Sequence, residues 1–233
     1  MKKPLKITLT VVLILLIAAS ALAVWQRENI KALFIALKYS SPDEISTLID
    51  ENDKIISDAL KEYNTGEITE LDEQQKKNLE DGILSEEDAV DIILGRKKDD
   101  GTPSKGASSS IAGSKNNSDV DEKISEQIAK MYILKAQYTS SLEGLRSSII
   151  SEYKALPKEQ QTKASKEALG KKALGIVAGM ESSCDASVNA IISELKSILS
   201  SAGRDMSLIS SIQTAYNNEK QLKKAYYINM YVK

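Results

Sequence analysis

Ile124-Ser125-Glu126-Gln127-Ile128-Ala129-Lys130-Met131 opens a run in which apolar residues return at steps of three and four. Tyr138, Leu142, Leu145, Ile149 and Leu156 continue it, with interruptions at Lys135 and Glu152. Such spacing is the seam of a long helix that packs lengthwise against another. After Leu156-Pro157 a second helix is predicted over about 158–201, with Leu169, Ala173, Ile176, Met180, Cys184, Val188, Ile191, Leu195 and Ile198 on its inner face. The steps of four from Ile176 through Met180 and Cys184 to Val188 read as a stutter that locally unwinds a left-handed supercoil. Ala202-Gly203 ends that helix and Asp205 can cap a third, lined by Leu208, Ile212, Ala215, Leu222 and Tyr226. Residues 119–233 are therefore expected to form a three-helix antiparallel bundle or a coiled-coil hairpin with a returning helix.

Upstream of this bundle the composition changes. From Gly95 to Ser118 the chain is rich in Gly, Ser, Lys and Asp with little to bury, which predicts a flexible linker over 95–118. Proteolysis there is expected to release a helical fragment. Residues 39–94 carry most of an acidic excess: between 39 and 100 there are seven Lys/Arg against nineteen Asp/Glu. Ser41-Pro42-Asp43-Glu44 places a capping serine, a proline at the first helical position and a glutamate three after the cap. Thr69 with Asp72 and Ser85 with Asp88 repeat that offset. Short helices are expected near 42–63, 70–81 and 86–94, with turns at Asn64-Thr65-Gly66, Asp81-Gly82 and Gly95. Helices this short do not persist alone, so Ile45, Ile49, Leu60, Leu79, Val90, Ile93 and their neighbours are expected to bury one another in one acidic module over 26–94.

The chain begins with a short basic stretch, residues 1–6, followed by an uncharged and mostly apolar run from Ile7 to Trp25. About 20 apolar helical residues cross roughly 30 Å of hydrocarbon, so 7–25 is expected to span a membrane as a single anchor. The same residues have the order of a cleavable signal, ending in Ala21-Leu22-Ala23. Retention is favoured by the spanning length, by Trp25 at an interfacial position, and by Arg27, Lys31 and Lys38, which can reach headgroups. The expected arrangement has the amino terminus cytoplasmic and the body extracytoplasmic. Ile30, Leu33, Phe34 and Leu37 extend the helix to about residue 39 with an apolar stripe, which either lies on the bilayer or is covered by later helices. The whole fold is predicted to be all-α.

Composition excludes several classes of function. The chain has no histidine and one cysteine, Cys184, so Ser-His-Asp and Cys-His catalysis, the His-Glu zinc proteases and an intrachain disulfide are ruled out. No glycine-rich phosphate loop is present, and the acidic middle repels nucleic acid. Asp50-Glu51-Asn52-Asp53 suggests a calcium loop, but Ile55 stands where glycine is needed, so no metal or cofactor is expected. Ser151-Glu152-Tyr153-Lys154 and Ser193-Glu194-Leu195-Lys196 have serine–lysine spacing without the Lys-Thr-Gly or Ser-Asp-Asn partners that chemistry needs. Gly175-Ile176-Val177-Ala178-Gly179 has the spacing of close helix pairs.

Glu181-Ser182 resembles the Glu-Ser pair of lytic transglycosylases, which use one glutamate as acid and base on cell-wall glycan. The resemblance covers those two residues, and the glycine- and glutamine-containing motif of that family does not follow. Tyr226-Tyr227-Ile228-Asn229-Met230-Tyr231 is the densest aromatic stretch, and Tyr226, Tyr227, Met230 and Tyr231 are candidates for partner binding alongside Trp25, Arg27 and Lys31 for the membrane interface. The reading is a membrane-anchored extracytoplasmic helical protein with a non-enzymatic binding, spacing or assembly role in a bacterial-type envelope. Its expected partners are the bilayer through 7–25, an envelope protein, and another copy of the chain through the carboxy-terminal bundle. The alternatives are a cell-wall glycan enzyme or its regulator, and a secreted soluble protein cleaved after Ala23.

Overall fold

A computed structural model describes residues 31–32, 34–61, 68–97 and 115–232, with side chains excepted at 115–118, 228 and 230–232. The predicted span 7–25, the basic start and most of the predicted linker lie outside these residues. The described elements are helical: α1 Pro42–Leu60, α2 Glu73–Glu80, α3 Glu86–Ile93, α4 Lys115–Ala155, α5 Lys163–Ser201 and α6 Ser207–Val232, with a 3-10 turn at Lys158–Gln160 and helical residues at 31–32 and 34–38. Among the described residues no helix is long and apolar enough to cross a membrane.

Helix starts follow local hydrogen bonding. At α1 the Ser41 hydroxyl accepts from the Glu44 amide at 3.3 Å, and the Glu44 carboxylate accepts from the Ser40 amide at 2.8 Å. Ser85 caps α3 as expected, accepting from the Asp88 amide at 3.1 Å. At α2 the cap is Asp72 rather than Thr69: the Asp72 carboxylate accepts from the Gln75 amide and the Gln75 side chain accepts from the Asp72 amide, both at 2.8 Å. This reciprocal box satisfies two otherwise unpaired donors, and a carboxylate at a helix start also meets the positive end of the dipole. The Thr69 amide instead donates to the Ile93 carbonyl at 3.0 Å. Gly82 and Gly95 take φ of 70° and 66° at the turns after α2 and α3, a left-handed conformation that glycine adopts without strain. Residues 115–118, assigned above to the linker, begin α4.

The chain divides into two compact units, 1–60 with 207–233 and 61–206. In the first, α1 packs on α6. Ala32, Ala36, Ile45, Ile49, Leu222 and Ala225 form its core, flanked by Ile35, Tyr39, Leu48 and Tyr226. The stripe expected from Phe34 and Leu37 is not the packed one: both are exposed, at 69% and 63%, while Ala32 and Ala36 are buried. Alanines permit a closer approach of backbones than Phe and Leu, and that approach lets the buried amide of Asn229 reach the end of the 34–38 helix. Asn229 Nδ2 donates to the Ala36 carbonyl at 2.9 Å and to the Tyr39 carbonyl at 2.8 Å, pairing carbonyls that a helix end leaves open. Asn52, also buried, donates from Nδ2 to the Ala215 carbonyl at 2.8 Å.

In the second unit α2 and α3 cover one face of α4, burying Leu71, Leu79, Ala89, Val90 and Ile93 against Ala129 and Ile133. The other face of α4 carries the expected seam: Ile124, Ile128, Met131 and Leu142 are buried, and Tyr138, Leu145, Ile149 and Leu156 are half-buried. α5 returns antiparallel to α4, capped by Thr162, whose hydroxyl accepts from the Ser165 amide at 3.2 Å. Its inward residues are Ala173, Val177, Met180, Cys184, Val188, Ile191, Leu195 and Leu199, whereas Ile176 is 41% exposed. The steps are four, three and four in repetition, an eleven-residue period that lies close to the natural helical turn. The paired steps of four at Met180, Cys184 and Val188 keep the expected stutter, with Val177 rather than Ile176 leading into it. The expected close approach at Gly175 and Gly179 is absent: a Cβ at either would meet nothing within 4 Å.

Two expectations about grouping are therefore corrected. The apolar residues of 26–94 do not bury one another as one module, because Ile45 and Ile49 pack with α6 while Leu79, Val90 and Ile93 pack on α4. The long-helix bundle exists, but the third helix of the expected 119–233 bundle belongs with α1. Helical periodicity defines which face of α6 is apolar and leaves its partner open.

Both units draw on chain from either side of 98–114. A protease nick in that stretch should leave the two fragments co-eluting in native gel filtration and separating only in denaturant, rather than releasing a helical fragment; free fragments in native buffer would contradict this packing. Asn229→Ala removes both bonds to the 34–38 helix end, and should lower unfolding free energy by roughly 1–3 kcal/mol in chemical denaturation.

Candidate functional site

The first unit contains a groove of about 870 Å³ between Lys31, Phe34 and Ile35, α1 and α6. Its walls combine Phe34, Ile35, Leu48, Ile55 and Leu222 with the amides of Asn52, Asn217, Asn218 and Gln221 and the charges of Lys31, Glu51 and Lys220. The arrangement follows from helix spacing. Leu48, Asn52 and Ile55 recur at four and three along α1, and Asn217, Asn218, Gln221 and Leu222 do so along α6. Asn52 is 5% exposed, and while its Nδ2 holds the Ala215 carbonyl its Oδ1 is buried without a hydrogen-bond partner. Buried acceptors are costly unless satisfied, so this wall suits a ligand that is mainly apolar and brings a donor. Asp50-Glu51-Asn52-Asp53 sits inside α1 rather than in a loop, and among the described residues no group of three or more His, Cys, Asp or Glu side chains is placed to hold a metal ion.

Of the membrane-interface candidates, Lys31 stands at this groove, while Trp25 and Arg27 lie outside the described residues. Of the aromatic stretch, Tyr226 is half-buried against the first unit's core and meets Tyr227 edge to face, with ring centroids 5.4 Å apart and planes at 88°. Side chains of Met230 and Tyr231 lie outside the described set. Asn229, just before them, was not singled out by sequence reasoning. A lone amide in an aromatic helical stretch was the available signal.

Glu181 lies on the α4–α5 hairpin, one turn before Asp185, with Tyr138 opposite. The Tyr138 hydroxyl donates to Glu181 Oε1 at 3.5 Å. Burial pushes the Tyr138 phenol well above its ordinary value, and the charges of Glu181, Cys184 and Asp185 push it further in the same direction. The phenol therefore stays protonated and remains a donor. Cys184 is half-buried at the seam, as a small core residue would be.

A third cluster joins α3 to α4. Arg96 reaches Glu122 at 3.0 Å and Glu126 at 3.1 Å, both one helical turn apart on α4, and Asp91 at 3.6 Å. Lys97 holds Asp88 at 2.6 Å and Asp91 at 3.2 Å. The hydrogen bond from Lys97 lowers the Asp88 carboxyl below its ordinary value, aided by the Ser85 hydroxyl at 2.8 Å. Lys97 is in turn raised above its ordinary value by its bonds to Asp88 and Asp91. The cluster positions the residues that enter 98–114 and presents no acid–base pair aimed at a cavity.

No family, curated protein or solved structure matches the chain in comparison with known proteins.

Linkage fixes the pH behaviour of the Asp88–Lys97 pair. Asp88 is depressed, so its contribution is present above the unfolded carboxylate value and lost as pH falls through the folded one. Lys97 is raised, so its contribution is present below the unfolded amine value and lost as pH rises through the folded one. In Lys97→Met the Asp88 carboxyl carbon, followed by NMR, should titrate at higher pH than in the wild type but still below an ordinary aspartate, because Ser85 remains; an unchanged midpoint would sink the assignment.

Proposed function

We propose that the chain is a single-pass, membrane-anchored helical protein of a bacterial-type envelope whose body works outside the membrane by binding, spacing or assembling partners rather than by catalysis. The observation that carries this reading is the α4–α5 hairpin. Its helices have 41 and 39 residues, so each runs about 60 Å, and between residues 143 and 187 no side chain is fully buried. An arm built of two helices with a half-buried seam offers length and surface and little concavity. Leu174 and Ile176, at 62% and 41% exposure, add apolar surface on its returning helix.

The anchor rests on the run from Ile7 to Trp25 and the basic stretch before it. Tyr226 and Tyr227 remain candidates for a partner contact, as does pairing of two copies through the hairpin. The second reading, a cell-wall enzyme or its regulator, has one specific observation in its favour, the Tyr138 hydroxyl 3.5 Å from Glu181 Oε1.

Cells expressing the full chain are fractionated, and intact spheroplasts are treated with external protease. The expected outcome is a membrane-bound protein with its original amino terminus and a digested body. A soluble product beginning at Val24 would replace the anchor with secretion. Glycan hydrolysis by purified protein that is lost in Glu181→Gln, with helicity retained, would establish the enzyme reading instead.

A further inference from the structure

The helical residues 31–32 and 34–38 present two different faces. Ala32, Ile35, Ala36 and Tyr39 turn toward the first unit, with Ala32 and Ala36 at 0% and 2% exposure. Lys31, Phe34, Leu37 and Lys38 turn outward, and all four are exposed. An exposed aromatic and an exposed leucine, adjacent on one helical face with Lys31 before and Lys38 after them, make a surface that water does not favour; Lys31 and Phe34 also form the rim of the groove, and Phe34 and Leu37 stay 69% and 63% exposed. Lys38 lies over the Tyr39 ring, its Nζ 5.2 Å from the centroid, so it stays at the edge of this face.

We propose that the face formed by Lys31, Phe34, Leu37 and Lys38 lies in the headgroup layer of the bilayer that anchors the chain, laying the first unit against the membrane. The inference rests on the anchor reading given under Proposed function. Three observations select a lipid surface as the occupant. First, Phe34 follows Trp25 by nine residues, at most about 30 Å of extended chain, so the face is held near the bilayer whatever the path between them. Second, an apolar strip of Phe34 and Leu37 with Lys31 and Lys38 along one side of it is the pattern of helices that lie in an interface, where Phe and Leu enter the acyl boundary and Lys meets lipid phosphate. Third, the inward side is already satisfied by α1 and α6, with Asn229 pairing the helix-end carbonyls, so the outward face can enter the interface without unpacking the unit.

The test uses the full chain reconstituted in vesicles of phosphatidylcholine with phosphatidylglycerol. Trp25 is the one tryptophan and stands at the interfacial end of the expected span, so its quenching by lipids brominated at the upper acyl carbons reports insertion of that end of the anchor. In a Cys184→Ser background, Leu37→Cys carries an environment-sensitive dye, and Thr47→Cys, exposed on α1, carries the same dye as control. The expected result is quenched Trp25, a blue shift of the dye at 37 with quenching by headgroup nitroxide, and no shift at 47. Phe34→Glu in the labelled variant should abolish the shift at 37 while leaving Trp25 quenching and circular dichroism unchanged. Quenched Trp25 with a water-exposed dye at 37 overturns this proposal and leaves the anchor standing, and would turn attention to a protein that covers the face. A shifted dye at 37 with unquenched Trp25 keeps the interfacial face and overturns the anchor. Loss of both signals overturns both.

Discussion

The first unit depends on two asparagine amides that fix one helix alignment. Helix packing by Leu, Ile and Ala is tolerant, because neighbouring turns offer similar surfaces. A buried amide is not, since moving it one residue along α6 rotates it by about 100° and leaves it and its carbonyl partners unpaired. Asn52 sets α6 against α1 through the Ala215 carbonyl, and Asn229 sets the 34–38 helix through the Ala36 and Tyr39 carbonyls. With both Nδ2 groups paired, Ala32, Ala36 and Ala225 come close enough to bury almost completely. The outward placement of Phe34 and Leu37 and the groove beside Asn52 both follow from that alignment.

How much of this was legible in the sequence depended on whether a feature was local. Ser41 and Ser85 read correctly as caps because the hydrogen bond they make lies three residues away. Thr69 misled because Asp72 had two competing uses, and the one that paired with Gln75 formed. The α4 seam was legible from Ile124 to Leu156. Its second face at Ala129 and Ile133 was not, because alanine contributes weakly to any periodicity. On α5 Ile176 and Val177 are adjacent and both apolar, so the sequence does not separate them, and the helical turn brings Val177 inward.

Tertiary partnership was the least legible feature. Leu222 and Tyr226 were expected on an inner face of α6 and do pack, yet against α1 rather than in a bundle drawn from 119–233. The groove was not visible for the same reason, since its lining comes from segments far apart in sequence. The α4–α5 arm shows the converse. Its residues contact near neighbours through a thin seam, and fewer buried contacts imply lower local stability between 143 and 187 than where α2 and α3 cover α4. The hairpin is therefore looser at the arm and firmer nearer Arg96 and its three carboxylates.

The alignment of the first unit also sets an order of assembly. Asn52 and Ala215 are 163 residues apart, and Asn229 and Ala36 are 193 apart. At about 5–20 residues per second of synthesis, α1 waits roughly ten to thirty seconds for its partner helix to be made. During that interval Ile45 and Ile49 have no α6 to cover them, whereas α2 and α3 find α4 much sooner. Maturation of this chain is thus inherently vectorial, with the second unit complete before the first can close, and a nascent chain carries an unsheltered α1 that a chaperone has time to occupy.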